Sequence, residues 1–321
     1  MAVNRDKPDR WKADISQSVD LFNDWFMTFA PNTFRETRLQ TTKAVKNTLK
    51  ATDNLTNVRP EVLRRNPGVL PTLRISTCPP LARDRLIGLA HVPKSMVERM
   101  ERQEKLPVRL TGAELNSELC KIGAIIEKLA DRDILTWLDT GKVPTKAAIH
   151  RGATIIADRL CGTAADPIIR NAQESRQLKR IGEWLCSRGY RHVPPGSGVK
   201  FDEMLPGTFG FRLNVPVKLE VGAEKKVNVP VDAVIMRKTA KAGDFPLLVE
   251  AKSAGDFANV NKRRKEEAKK VEQLRRTYGE NAEYVLFLCG YFDSGYLGYE
   301  AAEGIDWVWE HRIDDFADFG L

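Results

Sequence analysis

The sequence is short of the residues that build zinc clusters, disulfide frameworks and membrane spans. Its five cysteines (Cys78, Cys120, Cys161, Cys186 and Cys289) are scattered and odd in number, with no CxxC pair. That excludes a cysteine zinc cluster and reads as the reduced thiols of a cytosolic protein. The four histidines, His91, His150, His192 and His311, are far apart and show no metal-ligand spacing. No apolar run approaches the ~18 residues that span a bilayer, so no membrane partner is expected. The opening MAVNRDKPDRW has no apolar stretch behind its charges, unlike a secretory signal. Internal repeats and low-complexity tracts are missing too. With 42% hydrophobic and 29% charged residues, the 321-residue chain is neither wholly disordered, collagen-like nor a coiled coil.

Basic charge is in excess, and it is unevenly placed. The totals are 51 basic and 43 acidic side chains, a net of +8. Residues 1–160 and residues 161–280 each carry a net +8, whereas residues 281–321 carry −8. An acidic tail therefore masks a body near +16, which suits a polyanionic partner lying across both parts of that body.

The length allows one large or two ordinary domains, and the pattern changes near residue 165. Upstream, the chain reads as helical. Phe22, Trp25, Phe26 and Phe29 recur at the spacing of one buried helix face, and Leu115, Leu119, Ile122, Ile126 and Leu129 repeat that spacing. A Pro-rich stretch from Arg59 to Pro93 separates these helices and predicts extended loops. Downstream, Asp166-Pro167 predicts a helix start, with a stop at Gly189. Strands are predicted at 227–236, 245–252, 283–289 and 305–310, with a long helix near 257–278 between the second and third. Strand, strand, crossover helix and strand make a mixed α/β sheet with helices packed on it. The expected organisation is a helical N-terminal region, residues 1–164, joined to an α/β core, residues 165–321.

Two of these strands carry the chemistry. Glu250 and Lys252 in VEAK share one strand face, while Val249 and Ala251 take the other. Asp232 lies in the preceding strand, PVDAVIM, and the intervening RKTAKAGD has hairpin character. Neighbouring strands can bring Asp232 and Glu250 around one hard cation such as Mg²⁺, which takes one or two carboxylates and leaves room for water and phosphate. Lys252 beside them could orient or deprotonate an attacking water, or neutralise charge at phosphorus. Glu174 falls on the inward stripe of the helix after Pro167, with Leu178, Ile181 and Leu185. A buried glutamate there is costly unless it is paired or near a metal, so it is a candidate ligand or a support for one. Partial exposure at the open end of the helix is the equal alternative. By itself an Asp followed by Glu-x-Lys is a weak signal, and an edge-strand ion pair explains it as readily.

The segment after EAK strengthens it. Residues 257–278 hold eight basic and three acidic side chains. Such a run is usually a solvated helix face, but this one begins beside the carboxylates. Asn261, Lys262 and Arg263 are the leading candidates to grip phosphates, and Arg264 could brace the site. A second candidate surface is LRISTCPPLARDRLIGL, where Arg74, Ser76, Thr77, Arg83 and Arg85 offer donors. A plain connector with one Arg–Asp84 pair is as good a reading of those residues. PTKAAIHRGATIIADRL fits core packing better than a helix-turn-helix, and GYFDSGYLG matches no phosphate-binding fingerprint.

Taken together, PVDAVI, LLVEAKSAGDFANVNKRRKEEAKK and WVWEHRIDDF resemble the type II restriction endonucleases of the PD-(D/E)xK superfamily. STCPPLARDRLIGLA and RNAQESRQLKRIGEWL make the chain most similar to the XamI family, from about residue 15 to the C-terminus. The resemblance implies a PD-(D/E)xK core and Mg²⁺-dependent cleavage of double-stranded DNA at a short specific site. It also implies a homodimer, a companion DNA methyltransferase and a bacterial or archaeal cytoplasm. Asp232 and Glu250 would bind metal, Lys252 would assist the nucleophile, and Glu174 would match the helix acid often found upstream. The proline usually found just before the aspartate is displaced: Val231 stands there, with Pro230 one place earlier. A repair or junction-resolving nuclease, or a DNA-binding regulator without catalysis, are the alternatives.

Overall fold

The computed structural model describes residues 2–219, 226–257, 260–280 and 282–321. They divide into two units, residues 30–169 and residues 1–29 with 170–321. The second unit thus takes in the N-terminal segment as well as the C-terminal half, where a single break near residue 165 was expected.

Residues 30–169 are helical, as their periodicity predicts. They contain the end of α1 (Pro8–Ala51), then α2 (Pro60–Arg65), α3 (Leu70–Ile75), α4 (Arg83–Ala90), α5 (Lys94–Gln103), α6 (Gly112–Leu129), α7 (Trp137–Thr140) and the start of α8 (Lys146–Ser187). The Pro-rich stretch forms short helices instead of extended loops. Pro60 and Pro71 sit in the first turns of α2 and α3, where the missing N–H costs nothing. In α6, Thr111 and Glu114 form a capping box, and Leu115, Leu119, Ile122 and Ile126 face one core with Leu63, Leu70, Leu86 and Met96.

The other unit is a six-stranded mixed sheet, ordered β1 (Arg191–His192), β2 (Thr208–Lys218), β3 (Lys226–Met236), β4 (Leu247–Ala254), β5 (Tyr284–Gly290) and β6 (Asp306–Trp309). The β2–β3 and β3–β4 pairs are antiparallel, and the β4–β5 and β5–β6 pairs are parallel. Helices α9 (Val260–Tyr278) and α10 (Ser294–Ala302) return the chain between the parallel strands. One sheet face packs Leu248, Leu286, Leu288, Trp307 and Trp309 with Val271 of α9 and Leu297 of α10. The opposite face packs Val249, Phe287 and Val308 with Leu178, Ile181 and Leu185 of α8. The result is helix, sheet, helix in three layers.

Helix α8 does not begin at Asp166-Pro167; it runs through Pro167 from Lys146 to Ser187. An interior proline forfeits one helix bond, at ~3 kcal/mol. Buried apolar residues on both sides, Ile156 and Ala157 before it and Leu178 and Ile181 after it, hold the helix on course. The aromatic face of α1 is also less buried than its spacing implies. Phe22 is buried, but Phe26 is 42% exposed. Phe26 stacks on Phe22, and Trp25 stacks on Phe29.

Candidate active site

The strand register brings the predicted carboxylates together. Ala233 pairs with Val249 across β3 and β4, so Asp232 and Glu250 are one step further along the same ladder. The Asp232 Oδ2 accepts a hydrogen bond from the Ala251 N–H at 2.9 Å, which ties its side chain to β4. Leu248 belongs to the core under α9, whereas Val249 belongs to the core under α8. Glu250 and Lys252 therefore continue the Leu248 side of the strand, beneath α9.

The β2–β3 hairpin changes its facing at this point. Phe209 and Phe211 pack on the α8 side, yet Leu213, Val215 and Val217 pack on the α9 side. On β3, Ala233 and Ile235 face α8 while Val229 and Val231 face α9. A regular strand would keep odd positions on one side. The switch falls at Arg212, whose φ is +54°, between the ladder pairs Phe211–Ala233 and Leu213–Val231. Asp232 sits within the disturbed step and is half-buried.

Helix α9 supplies two further charges, which the sequence reading did not single out. Lys270 Nζ lies 2.7 Å from Glu250 Oε2. Glu267, only 2% exposed, places Oε1 2.9 Å from Lys252 Nζ, closer than the 3.3 Å between Lys252 Nζ and Glu250 Oε1. The signal for Glu267 was present: it lies four residues before Val271, on the apolar stripe of its own helix. Behind it lies fully buried Glu300 of α10, near enough to feel the charge of Glu267.

Burial and mutual repulsion set the protonation states. Asp232 is pushed up to about 6, first by burial and then by the negative charge of Glu250, with the Ala251 N–H pulling the other way. Glu267 is raised by burial against the opposing pull of Lys252. Burial alone would lower Lys252, but Glu250 and Glu267 outweigh it and the net shift is upward. Lys252 is thus held as an ammonium. Burial, with Glu267 nearby, lifts Glu300 to about 8.

Glu174 reaches the neighbourhood without joining the pair. Its charge is felt at Asp232, but its carboxylate is 38% exposed and accepts 3.1 and 2.8 Å bonds from Arg212. The buried polar side chains of α8 are Gln173 and Gln177 instead. Gln177 donates to the carbonyls of Lys252 and Phe287 at 3.3 and 3.2 Å, and Gln173 donates to Ser253. Both amides brace the strand that carries the site. Among the described residues, no three His, Cys, Asp or Glu side chains converge as a ready-made metal cluster. The donor set that does fit a hard cation is Asp232 with Glu250, two carboxylates whose repulsion a divalent ion would relieve.

With this geometry in place, the comparisons are decisive. The profile of the XamI restriction endonuclease family matches residues 53–309, a span that includes Glu174, Asp232, Glu250, Lys252 and Glu267. The chain belongs to the XamI restriction endonuclease family. It is also 51% identical, over 98% of each chain, to the type II restriction enzyme SalI of Streptomyces albus G. Among solved structures, protein VC1899 from Vibrio cholerae matches over 90% of this chain and 55% of its own, at 10% identity. Its TM-score of 0.27 carries no argument about fold. The chain is a restriction endonuclease, and the regulator and repair-nuclease alternatives fall away.

The predicted DNA contacts of this endonuclease are placed less simply. Asn261, Lys262, Arg263 and Arg264 are in the first turns of α9, and their side chains lie outside the described residues. Ser76 and Thr77 are fully buried, with hydroxyls donating to Leu73 and to Arg74 and Pro79, so they offer nothing to an external phosphate. Arg74 and Arg83 both bind Glu101, at 2.8 and 2.7 Å, rather than pairing with Asp84. Arg85 is exposed. That segment is mainly a braced connector. No helix among the described residues is long and apolar enough to cross a membrane.

Proposed function

We propose that this restriction endonuclease is a type II enzyme with a PD-(D/E)xK centre made of Asp232, Glu250 and Lys252, cutting double-stranded DNA at a short specific sequence with Mg²⁺. The observation that carries this reading is the pairing of Asp232 and Glu250 on adjacent strands, where burial and then the Glu250 charge raise Asp232 to about 6, with the Lys252 ammonium beside them. Mg²⁺ held by Asp232 and Glu250 would polarise the phosphoryl oxygen and acidify an attacking water. Lys252, kept protonated, acts as a cation: it orients that water and offsets the negative charge that grows at phosphorus. Ala251 positions Asp232 through its N–H, and Gln177 holds the backbone of Lys252. Glu174 becomes a third ligand only if Arg212 releases it.

DNA binding draws on the basic body of the chain. Within the helical unit, a groove between α1 and α8 is lined by Lys46, Lys50, Lys146 and His150 over a floor of Leu49 and Ile149. Lys46 and Lys50 stand four residues apart, ~6 Å along one helix face. Nearby, Arg38 takes Asp158 and Arg159 takes Asp131. The three lysines have no ion-pair partner among the described residues and form a phosphate-binding track. A homodimer and a companion methyltransferase complete the proposal, since a palindromic site needs matching half-site readers and host DNA needs protection.

Digestion of defined plasmid DNA with Mg²⁺, followed by sequencing of the fragment ends, tests it. Discrete fragments with constant end sequences are expected. A smear, or undigested DNA, overturns the site-specific reading. Loss of cutting without loss of binding in Glu250→Ala and Lys252→Ala places the chemistry; unchanged cutting removes it from these strands.

A further inference from the structure

Lys252 has two carboxylate partners, and they are not equivalent. Glu250 reaches it at 3.3 Å and is also bound by Lys270, whereas Glu267 reaches it at 2.9 Å from a fully packed position on α9. Under the proposed function, Glu250 must give its oxygens to a metal ion, because one carboxylate cannot serve a divalent cation and two ammoniums equally well. Lys252 then loses one of its two tethers. A lysine is a point charge on a flexible four-carbon stem, and without a fixed partner it samples many rotamers. We propose that Glu267 is the positioning residue that holds the Lys252 ammonium at the reaction centre once Glu250 has turned to the metal.

Three features favour Glu267 for this task over a simple balancing of buried charge. It comes from the helix layer and not from the strand that carries Lys252, so its position is fixed independently of Glu250. Its neighbours on α9, Val271 and Leu274, are buried in the sheet core, which restricts movement of the helix. Glu300, the other buried carboxyl nearby, forms no ion pair with Lys252 among the described residues, where Glu250 and Glu267 are the ammonium's partners. A partner that orients a functional group typically contributes 10–100-fold to activity.

The inference rests on the nuclease reading, and the test separates the two. Full-length Glu267→Gln, Glu267→Asp and Glu300→Gln are compared with the wild type on a plasmid fragment that the wild type cuts once. Single-turnover cleavage at saturating protein with Mg²⁺ is measured beside the Kd for the same fragment in Ca²⁺. Reactivity of Lys252 towards an amine-acylating reagent, without metal or DNA, is read by peptide mass spectrometry. Glu267→Gln should slow cleavage by about 10–100-fold, keep the Kd within about two-fold of wild type, and raise Lys252 acylation several-fold. Glu267→Asp should recover part of the rate, and Glu300→Gln should match the wild type in all three measurements. Cleavage by Glu267→Gln at the wild-type rate overturns the inference, as does unchanged Lys252 acylation or a loss explained wholly by weaker DNA binding. Should the Gln variant not fold, Glu267→Asp decides: a slowed rate at unchanged Kd supports the role, and the wild-type rate overturns it. If the wild type itself does not cut, the nuclease reading fails, and the acylation measurement alone still decides whether Glu267 holds Lys252.

Discussion

Lys270 Nζ caps one oxygen of Glu250 at 2.7 Å while Lys252 Nζ approaches the other at 3.3 Å. Lys270 therefore occupies, by its charge, the place of the divalent ion in the proposed centre. Replacing it with a neutral side chain of similar length, Lys270→Met, should lower the Mg²⁺ concentration for half-maximal cleavage several-fold. Metal titrations of the initial rate check this. An unaltered titration curve removes Glu250 from the ligand set.

Asp232, a metal ligand in the proposed centre, is held against its own stability. Its pKa is raised to about 6 from an ordinary 3.8. The folded state therefore favours the protonated form: the contribution is complete below about pH 4 and is lost as pH rises through about 6. At pH 7 the buried charge is a burden. Asp232→Asn should abolish cleavage and, at that pH, stabilise the fold by on the order of 2 kcal/mol. Denaturant unfolding at pH 7 and pH 4 provides the comparison, with the gain shrinking at the lower pH. A variant less stable than the wild type at pH 7 contradicts the strain.

Glu300 obeys the same sign over a wider window. Raised to about 8 from 4.5, it favours folding most below about pH 4.5 and loses that contribution progressively towards pH 8. Glu300→Gln should flatten the decline of stability between those limits, with a gain of a few kcal/mol above pH 8. Melting temperatures across the series would show it, and parallel curves for the two proteins would refute it.

The helical unit offers a salt-dependent test. Lys46→Ala, Lys50→Ala and Lys146→Ala together should weaken DNA binding and reduce the log–log salt slope by about 0.9 for each phosphate left without its lysine. A weaker Kd with an unchanged slope would mean that the groove supports the fold rather than the DNA.

The strands of the candidate site were legible because charged residues interrupt an otherwise simple apolar pattern. LLVEAK is apolar enough to be a core strand, so two charges at alternate positions had to face something specific, and the 2.9 Å bond from Ala251 to Asp232 joins the two strands. Glu267 obeyed the same rule on a helix but was hidden among eight basic neighbours. Glu174 satisfied the stripe and still faces partly outward, because one residue of helical rotation puts Gln173 and Gln177 in the packed positions. The positive φ of Arg212 left no trace in its residue type, since non-glycine residues reach that region only where long-range pairing compels them. Pro167 gave a strong local stop signal that packing on both sides overruled.

The N-terminal residues are part of the sheet unit's fabric. Val3 and Asn4 donate their backbone N–H groups to Asp306 at 2.6 and 3.0 Å, and the Asn4 amide donates to the Trp307 carbonyl at 2.9 Å. Trp11 packs on Trp307 as well. On a ribosome adding roughly 5–20 residues per second, residues 2–11 wait on the order of 15–60 s for β6 to appear. Residues 30–169 emerge as a complete unit well before then. The sheet unit is consequently the last part of the molecule to close, and a chain halted before β6 carries the helical unit with an unfinished sheet.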